Sequence, residues 1–282
     1  MTIDFIPAQD FHWQDAPVAY MLFFHQGRLL VKTNARGMRL PQARDLEGIG
    51  GTESRPLRLG FVADVPCWAK LLHEPPQNLP SHLAFVGLRG LFDRLPDAFW
   101  NAAGYGLQVL DWASQNRFCG HCGAVTEWAR GERALRCTAC RATRFPRVSP
   151  AIIVAVTRQN RLLLARANRF PGRLFSVIAG YVEPGETLEE CVRREVQEEV
   201  GLTVGTPRYF GSQSWPFSGS LMVAFTVESS QGEICIDRRE IVEADWFAAG
   251  DLPTELPGAL SIARRLINWF ERRNGGLERR RD

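Results

Sequence analysis

Cys119, Cys122, Cys137 and Cys140, spaced as C-x2-C-x14-C-x2-C, constrain this chain more than any other feature. Each C-x2-C pair puts two thiolates on one tight turn, and two such turns brought together form a closed tetrahedral shell of soft ligands for Zn²⁺. A closed shell leaves no position for water, so one structural zinc per subunit staples a small ribbon that has little core of its own. The ribbon, 115–146, separates an N-terminal domain, 1–114, from a C-terminal domain, 147–275, with a solvated tail at 276–282.

A chain of 282 residues, 45% of them hydrophobic, is long and apolar enough for about two ordinary domains. With 34 basic against 31 acidic residues, overall charge does not mark nucleic acid or membrane as a partner. The N-terminus MTIDFIPAQDFHWQ lacks the basic and apolar regions of a secretory signal, and no apolar run is long enough to span a bilayer. The chain therefore reads as soluble and cytoplasmic. Clustered cysteines point to metal rather than disulfides. Cys67, Cys191 and Cys235 stand alone in apolar strings and read as small buried side chains. Arginines 130, 133, 136, 141, 144 and 147 around the ribbon support a rival reading, a non-catalytic zinc-ribbon RNA-binding protein, although Glu127 and Glu132 dilute their charge.

The pattern along the chain is α/β (α+β). Strings such as VAYMLFF, LRLGFVADV and HLAFVGLRGLF, punctuated by Pro, Gly and Asn, predict a sheet-rich N-terminal α/β domain. A helix over 96–116 is apolar around much of its circumference and is expected to pack between domains. After the cysteines, PAIIVAVT and RLLLARA predict a hairpin closed at Arg158, Gln159 and Asn160, with another strand at FSVIAGYV. Thr187 followed by Glu190 has capping-box form and starts a helix over 188–200, which Gly201 ends. Strands at PRYFGSQSW, SLMVAFTVE and EADWFAA precede a C-terminal helix at 261–273.

At 100° per residue, Glu195 and Glu199 lie within about 20° of Leu188, between Cys191 and Val192, with Glu198 on the flank. Glu189, Glu190, Arg193 and Gln197 cluster on the opposite, solvated side. Carboxylates four residues apart on a half-buried face repel each other and are costly to desolvate unless a cation compensates them. Hard oxygen ligands from Glu195, Glu198 and Glu199 suit Mg²⁺ or Mn²⁺ and a phosphate-bearing substrate. Arg194, four residues before Glu198, is placed to fix that carboxylate.

The string from Gly180 to Leu202 matches G-x5-E-x7-R-E-U-x-E-E-x-G-U, U being a bulky aliphatic, at Gly180, Glu186, Arg194, Glu195, Val196, Glu198, Glu199, Gly201 and Leu202. It resembles the Nudix box at every defined position. The resemblance implies a Nudix hydrolase fold, a mixed sheet between helices, and cleavage of a nucleoside diphosphate linked to another group. Further along, Ser212, Gln213, Ser214, Trp215, Pro216, Phe217, Ser218, Gly219 and Ser220 offer aromatic, amide and hydroxyl groups for a planar base. This array is similar to the S-Q-P-W-P-F-P-x-S motif of the NADH pyrophosphatase branch, with Ser214 and Ser218 in place of prolines. That branch also has an N-terminal Nudix-like domain and a four-cysteine ribbon, so the resemblance covers essentially the whole chain.

The resemblance implies metal binding by the Ala179 carbonyl, Glu195, Glu199 and Glu240, and catalysis by Glu195, Glu198, Glu199 and Glu240, with Glu198 or Glu240 as the base. Substrate contacts would come from Gln213 to Ser220, Ala263 and Tyr181, and from Arg89, Glu132 and Phe145 in less distinctive surroundings. The implied enzyme is a homodimer that hydrolyses NAD(H) to nicotinamide mononucleotide and AMP and removes an NAD cap from the 5′ end of RNA. The alternative within the family is a hydrolase of ADP-ribose or another NDP-X.

Overall fold

The computed structural model describes residues 4–8, 18–34, 37–46, 56–92, 94–169, 172–236, 238–259 and 261–278, in two units, Met1–Arg147 and Val148–Asp282. The apolar strings of the first unit form strands β1 (Phe5–Pro7), β2 (Tyr20–His25), β3 (Arg28–Asn34), β4 (Gly37–Arg39), β5 (Leu57–Val62), β6 (Val65–Leu71) and β7 (Leu83–Gly87). They make one sheet in the order β1-β5-β6-β2-β3-β4, with β7 also paired to β3. Gln26 and Gly27, both at positive φ, close the β2–β3 hairpin.

Helix α1 (Asp97–Gln115) fills nearly all of the predicted 96–116 span. Its small residues Ala102, Ala103 and Gly106 are buried against this unit's sheet. A Cβ at Gly106 would stand 2.7 Å from Leu59 Cδ1, so glycine permits the close approach. At the far end of α1, the rings of Trp112 and Trp128 lie 5.8 Å apart, which ties the helix to the ribbon within the same unit.

The ribbon consists of β8 (Thr126–Trp128), β9 (Leu135–Cys137) and β10 (Thr143–Arg144). Its four cysteine sulfurs all lie within 4.8 Å of one another, with Cys119 Sγ 3.7 Å from Cys140 Sγ and Cys122 Sγ 3.5 Å from Cys137 Sγ. Tetrahedral zinc with bonds of about 2.3 Å needs sulfurs about 3.8 Å apart, so the cysteines fit the ion. The two turns are built alike. The N–H of His121 points at Cys119 Sγ and that of Cys140 at Cys137 Sγ. Each turn then leaves through a left-handed residue, Gly123 or Arg141. Burial opposes ionisation of Cys137, but the N–H groups of Cys140 and Ala139 and the neighbouring thiols outweigh it and hold its thiol below the ordinary range.

The second unit is a mixed sheet between two helices, as expected. Its strands are β11 (Ser149–Arg158), β12 (Arg161–Ala167), β13 (Ile178–Tyr181), β14 (Arg208–Trp215), β15 (Ser220–Glu228) and β16 (Ile241–Ala248). The order is β14-β15-β11-β12-β16, with β13 antiparallel to β11 and β15 parallel to it. Gln159 and Asn160, both at positive φ, close the predicted hairpin. Alternation along β11 serves two cores. Ile152, Val154 and Val156 pack with Cys191, Val192, Val196 and Val200 of α2 (Leu188–Val200), while Ile153 and Ala155 pack with Leu266, Ile267 and Phe270 of α3 (Ile262–Glu278).

Two expectations change. Cys67 and Cys191 are buried, and burial pushes both thiols up to about 12, but Cys235 is exposed beside Gly201. Helix α3 continues past 273 to Glu278, taking in the start of the expected tail, because glycine weakens a helix without forbidding it. Residues 279–282 lie outside the described residues. Among the described residues, no helix is long and apolar enough to cross a membrane.

Removing one ligand tests the ribbon. Cys137→Ser is expected to lower bound zinc from about one equivalent to near zero and the first thermal transition by roughly 5 °C or more. Zinc content and melting of purified protein check this.

Candidate active site

The capping box forms as its residues dictate. Thr187 Oγ1 accepts from the Glu190 N–H, while Glu190 Oε2 accepts from the Thr187 N–H at 2.8 Å. Gly201 ends α2 at φ 70°. These caps fix where the helix starts and stops, and hence which of its carboxylates face the sheet. Glu189, Glu190, Arg193 and Gln197 are exposed, as the helical geometry predicts, and Glu199 is buried at 6% exposure.

Arg194 organises the rest. Its Nε and Nη2 donate to the two oxygens of Glu186 at 2.7 and 2.9 Å, a bidentate pair. Its Nη1 donates to Glu195 at 2.8 Å and to Glu198 at 3.0 Å, and Nη2 also donates to the Tyr181 carbonyl at 2.9 Å. The expected hold on Glu198 is present, but Glu186 and Glu195 share the same guanidinium. Glu195 also explains the first glycine of the box, since a Cβ on Gly180 would overlap its carboxylate. A strand residue with no side chain therefore lets a helix carboxylate lie directly on β13.

Burial raises the carboxyl of Glu195, with Arg194 working against it and Glu198 and Glu240 reinforcing it. Glu240 therefore acts electrostatically on Glu195, although it lies some forty positions later in sequence. Its loop is held where the Asn168 N–H donates to the Glu240 carbonyl and the Asn168 side chain donates to the Arg239 carbonyl. Arg169 Nη1 is 3.6 Å from its carboxylate. Among the described residues, Arg194 pairs with Glu186, Glu195 and Glu198, and Arg169 with Glu240. Glu195, Glu198, Glu199 and Glu240 are hard-oxygen donors of the kind that fits a divalent cation. The carboxylates are not drawn as close as the cysteines; among the described residues, only the cysteines form a metal-type group within 4.8 Å.

On the other side of β11, β14 and β15 form a hairpin whose turn carries Pro216, Phe217, Ser218 and Gly219. The rings of Trp215 and Phe217 meet edge to face at 5.0 Å. Ser218 Oγ is 2.9 Å from Ser220 Oγ, which is 3.2 Å from the Tyr181 hydroxyl, so three hydroxyls join the turn to β13. Ser214 is exposed in β14 opposite Leu221. Gln213 Oε1 accepts the Ile262 N–H at 2.7 Å, which anchors the start of α3 and sets Ala263 beside this strand. Ala179 lies in β13 next to Gly180.

Arg89, Glu132 and Phe145 belong to the first unit. Arg89 is exposed in the 3-10 turn Leu88–Leu91, Glu132 pairs with Arg136 at 3.6 Å, and Phe145 is 60% exposed. Sequence reasoning gave no role to Asn168, Arg169 or the carboxylate of Glu186. Glu186 carried a signal as a defined box position, whereas Asn168 and Arg169 gain their place only from the β12–β16 pairing.

Three family models match in series. A NADH pyrophosphatase-like rudimentary NUDIX domain covers 18–112, a NADH pyrophosphatase zinc ribbon domain covers 114–145, and a NUDIX domain covers 146–270. A protein of Stutzerimonas stutzeri named NAD-capped RNA hydrolase NudC is 43% identical over 82% of this chain and 79% of its own length. Relatives with the same name from Pseudomonas syringae and Deinococcus radiodurans are 46% and 38% identical, over 69% and 90% of this chain and 70% and 88% of their own.

Two outcomes test this geometry. Gly180→Ala is expected to displace the Glu195 carboxylate and cost about 100-fold in turnover with little change in melting temperature, measured by steady-state kinetics and thermal denaturation. Arg194 holds the Glu186 carboxyl down to about 2 from its ordinary 4.5. A depressed folded-state pKa contributes stability that is full above 4.5 and is lost as pH falls toward 2. Glu186→Gln is therefore expected to flatten the fall of unfolding free energy across that window, as read by denaturant titrations at successive pH values.

Proposed function

The chain belongs to the Nudix hydrolase family, in its NADH pyrophosphatase branch, and from that premise we propose that it hydrolyses the diphosphate of NAD(H) to nicotinamide mononucleotide and AMP and removes the NAD cap from the 5′ end of RNA. The observation that carries this reading is the carboxylate group around Arg194 and Gly180, on the same sheet as an aromatic hairpin turn.

The Ala179 carbonyl, Glu195, Glu199 and Glu240 would hold Mg²⁺ or Mn²⁺, which would screen the charge of the diphosphate and acidify a bound water. Arg194 keeps Glu195 and Glu198 in a fixed geometry, so little reorganisation is needed when substrate arrives. Glu198 or Glu240 accepts the proton of the attacking water. Water adds to one phosphorus, the P–O–P bond breaks, and the proton ends on the departing phosphate. Catalysis is thereby assigned to Glu195, Glu198, Glu199 and Glu240.

Trp215 and Tyr181 flank the nicotinamide, while Gln213, Ser214, Pro216, Phe217, Ser218, Gly219, Ser220 and Ala263 shape the remaining wall. Gln213 does so chiefly by fixing the start of α3. Arg89, Glu132 and Phe145 are further substrate contacts, Phe145 through its exposed ring. The ribbon's zinc is structural. The working form is a homodimer in which the tryptophan turn contributes to the partner's site, and a reducing cytoplasm suits its cysteines.

Glu199→Gln is expected to lower NADH turnover by at least about 1000-fold while leaving the melting temperature within about 3 °C. Trp215→Ala is expected to raise KM for NADH more than it lowers kcat. Parallel kinetics on NADH, NAD⁺, ADP-ribose and NAD-capped RNA check the substrate reading. Ready cleavage of ADP-ribose with inert dinucleotides would overturn it, and a fully active Glu199→Gln protein would overturn the metal site.

A further inference from the structure

The first unit repeats the strand connectivity of the second. In each, a hairpin (β2–β3 or β11–β12) has its first strand beside a parallel neighbour (β6 or β15), itself paired antiparallel with the strand before it (β5 or β14). The hairpin's second strand pairs with a later strand (β7 or β16), after which comes the unit's last long helix, α1 or α3. Tyr20 even bridges to Gln42 near the start of β2, as Ala151 pairs with Tyr181 near the start of β11. The units differ where the second carries α2. The corresponding segment of the first, ARDLEGIGGTESRP, has no R-E-x-x-E-E string, and its described part is the 3-10 turn Ala43–Leu46.

Beside that turn the first unit has a cleft of about 600 Å³, lined by Tyr20, Lys32, Arg39, Arg44, Arg94 and Phe99 among others. Asp45 also lines it, but its charge is answered by Lys32 Nζ at 2.6 Å, and it accepts from the Gln42 N–H at 2.9 Å. Arg39, Arg44 and Arg94 are exposed, and among the described residues no carboxylate forms an ion pair with them. Three guanidinium groups in one concavity, of which Arg44 also acts on Asp45 through space, stand out in a chain whose formal charge is only +3. Guanidinium forks match phosphate oxygens, and the Tyr20 and Phe99 rings, 4.9 Å apart, add an aromatic wall suited to a planar base. The volume lies in the range of small-molecule sites.

We propose that this cleft is a second nucleotide-binding site, which takes the phosphate of a mononucleotide or of an RNA chain directly on Arg39, Arg44 and Arg94, without a metal. Where the second unit gathers carboxylates around a divalent cation, the first meets the phosphate with arginine. The cleft lies wholly within the first unit, so its ligand can be tested apart from the diphosphatase reaction.

The test is calorimetric titration of the full, zinc-loaded chain in buffer without Mg²⁺ or Mn²⁺, with AMP in one arm and a short 5′-phosphorylated oligoribonucleotide in the other. Wild type is compared with Arg39→Gln/Arg44→Gln/Arg94→Gln and with Trp215→Ala. The triple variant is expected to bind at least about tenfold more weakly in one or both arms, and Trp215→Ala to keep wild-type affinity there. The weakened arm identifies a free nucleotide or an RNA chain as the source of the phosphate. Absence of saturable binding by wild type, equal affinity of the triple variant in both arms, or loss in Trp215→Ala alone would overturn the proposal. If the triple variant melts lower than wild type, Arg39→Gln and Arg94→Gln are read singly against the same outcomes.

Discussion

The guanidinium of Arg194 bridges Glu186, Glu195 and Glu198, and the chemistry of the second unit depends on that shared cation. Without it, carboxylates on the sheet-facing side of α2 would repel one another, and each half-buried one would protonate or swing outward. With it, Glu186 is locked in its ionised form and Glu195 is pinned over Gly180. The helix can then present carboxylates at defined positions, where they would hold a divalent cation that would in turn screen a diphosphate. The capping box and Gly201 contribute by fixing the ends of α2, which sets the rotation of every carboxylate on it.

The two halves of the chain meet cations in opposite ways. In the ribbon, four soft sulfurs at close to tetrahedral spacing form a closed shell suited to structure. In the second unit, hard oxygens are spread over α2 and the loop before β16, too far apart to close on themselves, as a site that must also admit a substrate requires. The first unit keeps the sheet connectivity but its sequence has no R-E-x-x-E-E string at the corresponding place, and arginines line its cleft.

Legibility in the sequence followed the range of the interactions. Helix α2, its cap and its terminating glycine are local, and periodicity with the Thr187–Glu190 pair located them to the residue. Division of its glutamates into solvated and sheet-facing sets likewise needs only helical geometry. The reason for Gly180 was not legible, because it lies in the packing of Glu195 across fifteen positions onto β13. Gln213 reads as a base contact from its neighbours, yet its carbonyl oxygen anchors α3 through a partner far along the chain. Cys235 sits in an apolar string but is exposed beside the end of α2, where its N–H donates to the Val200 carbonyl, a long-range contact that composition does not report. The shared connectivity of the two units is invisible at the residue level, because it resides in strand order rather than in any motif.

The most direct test of the account is product analysis of NADH incubated with the purified chain in the presence and absence of Mn²⁺. Nicotinamide mononucleotide and AMP are the expected products, formed only when the divalent cation is supplied. Release of nicotinamide with ADP-ribose, or equal turnover without a divalent cation, would contradict it.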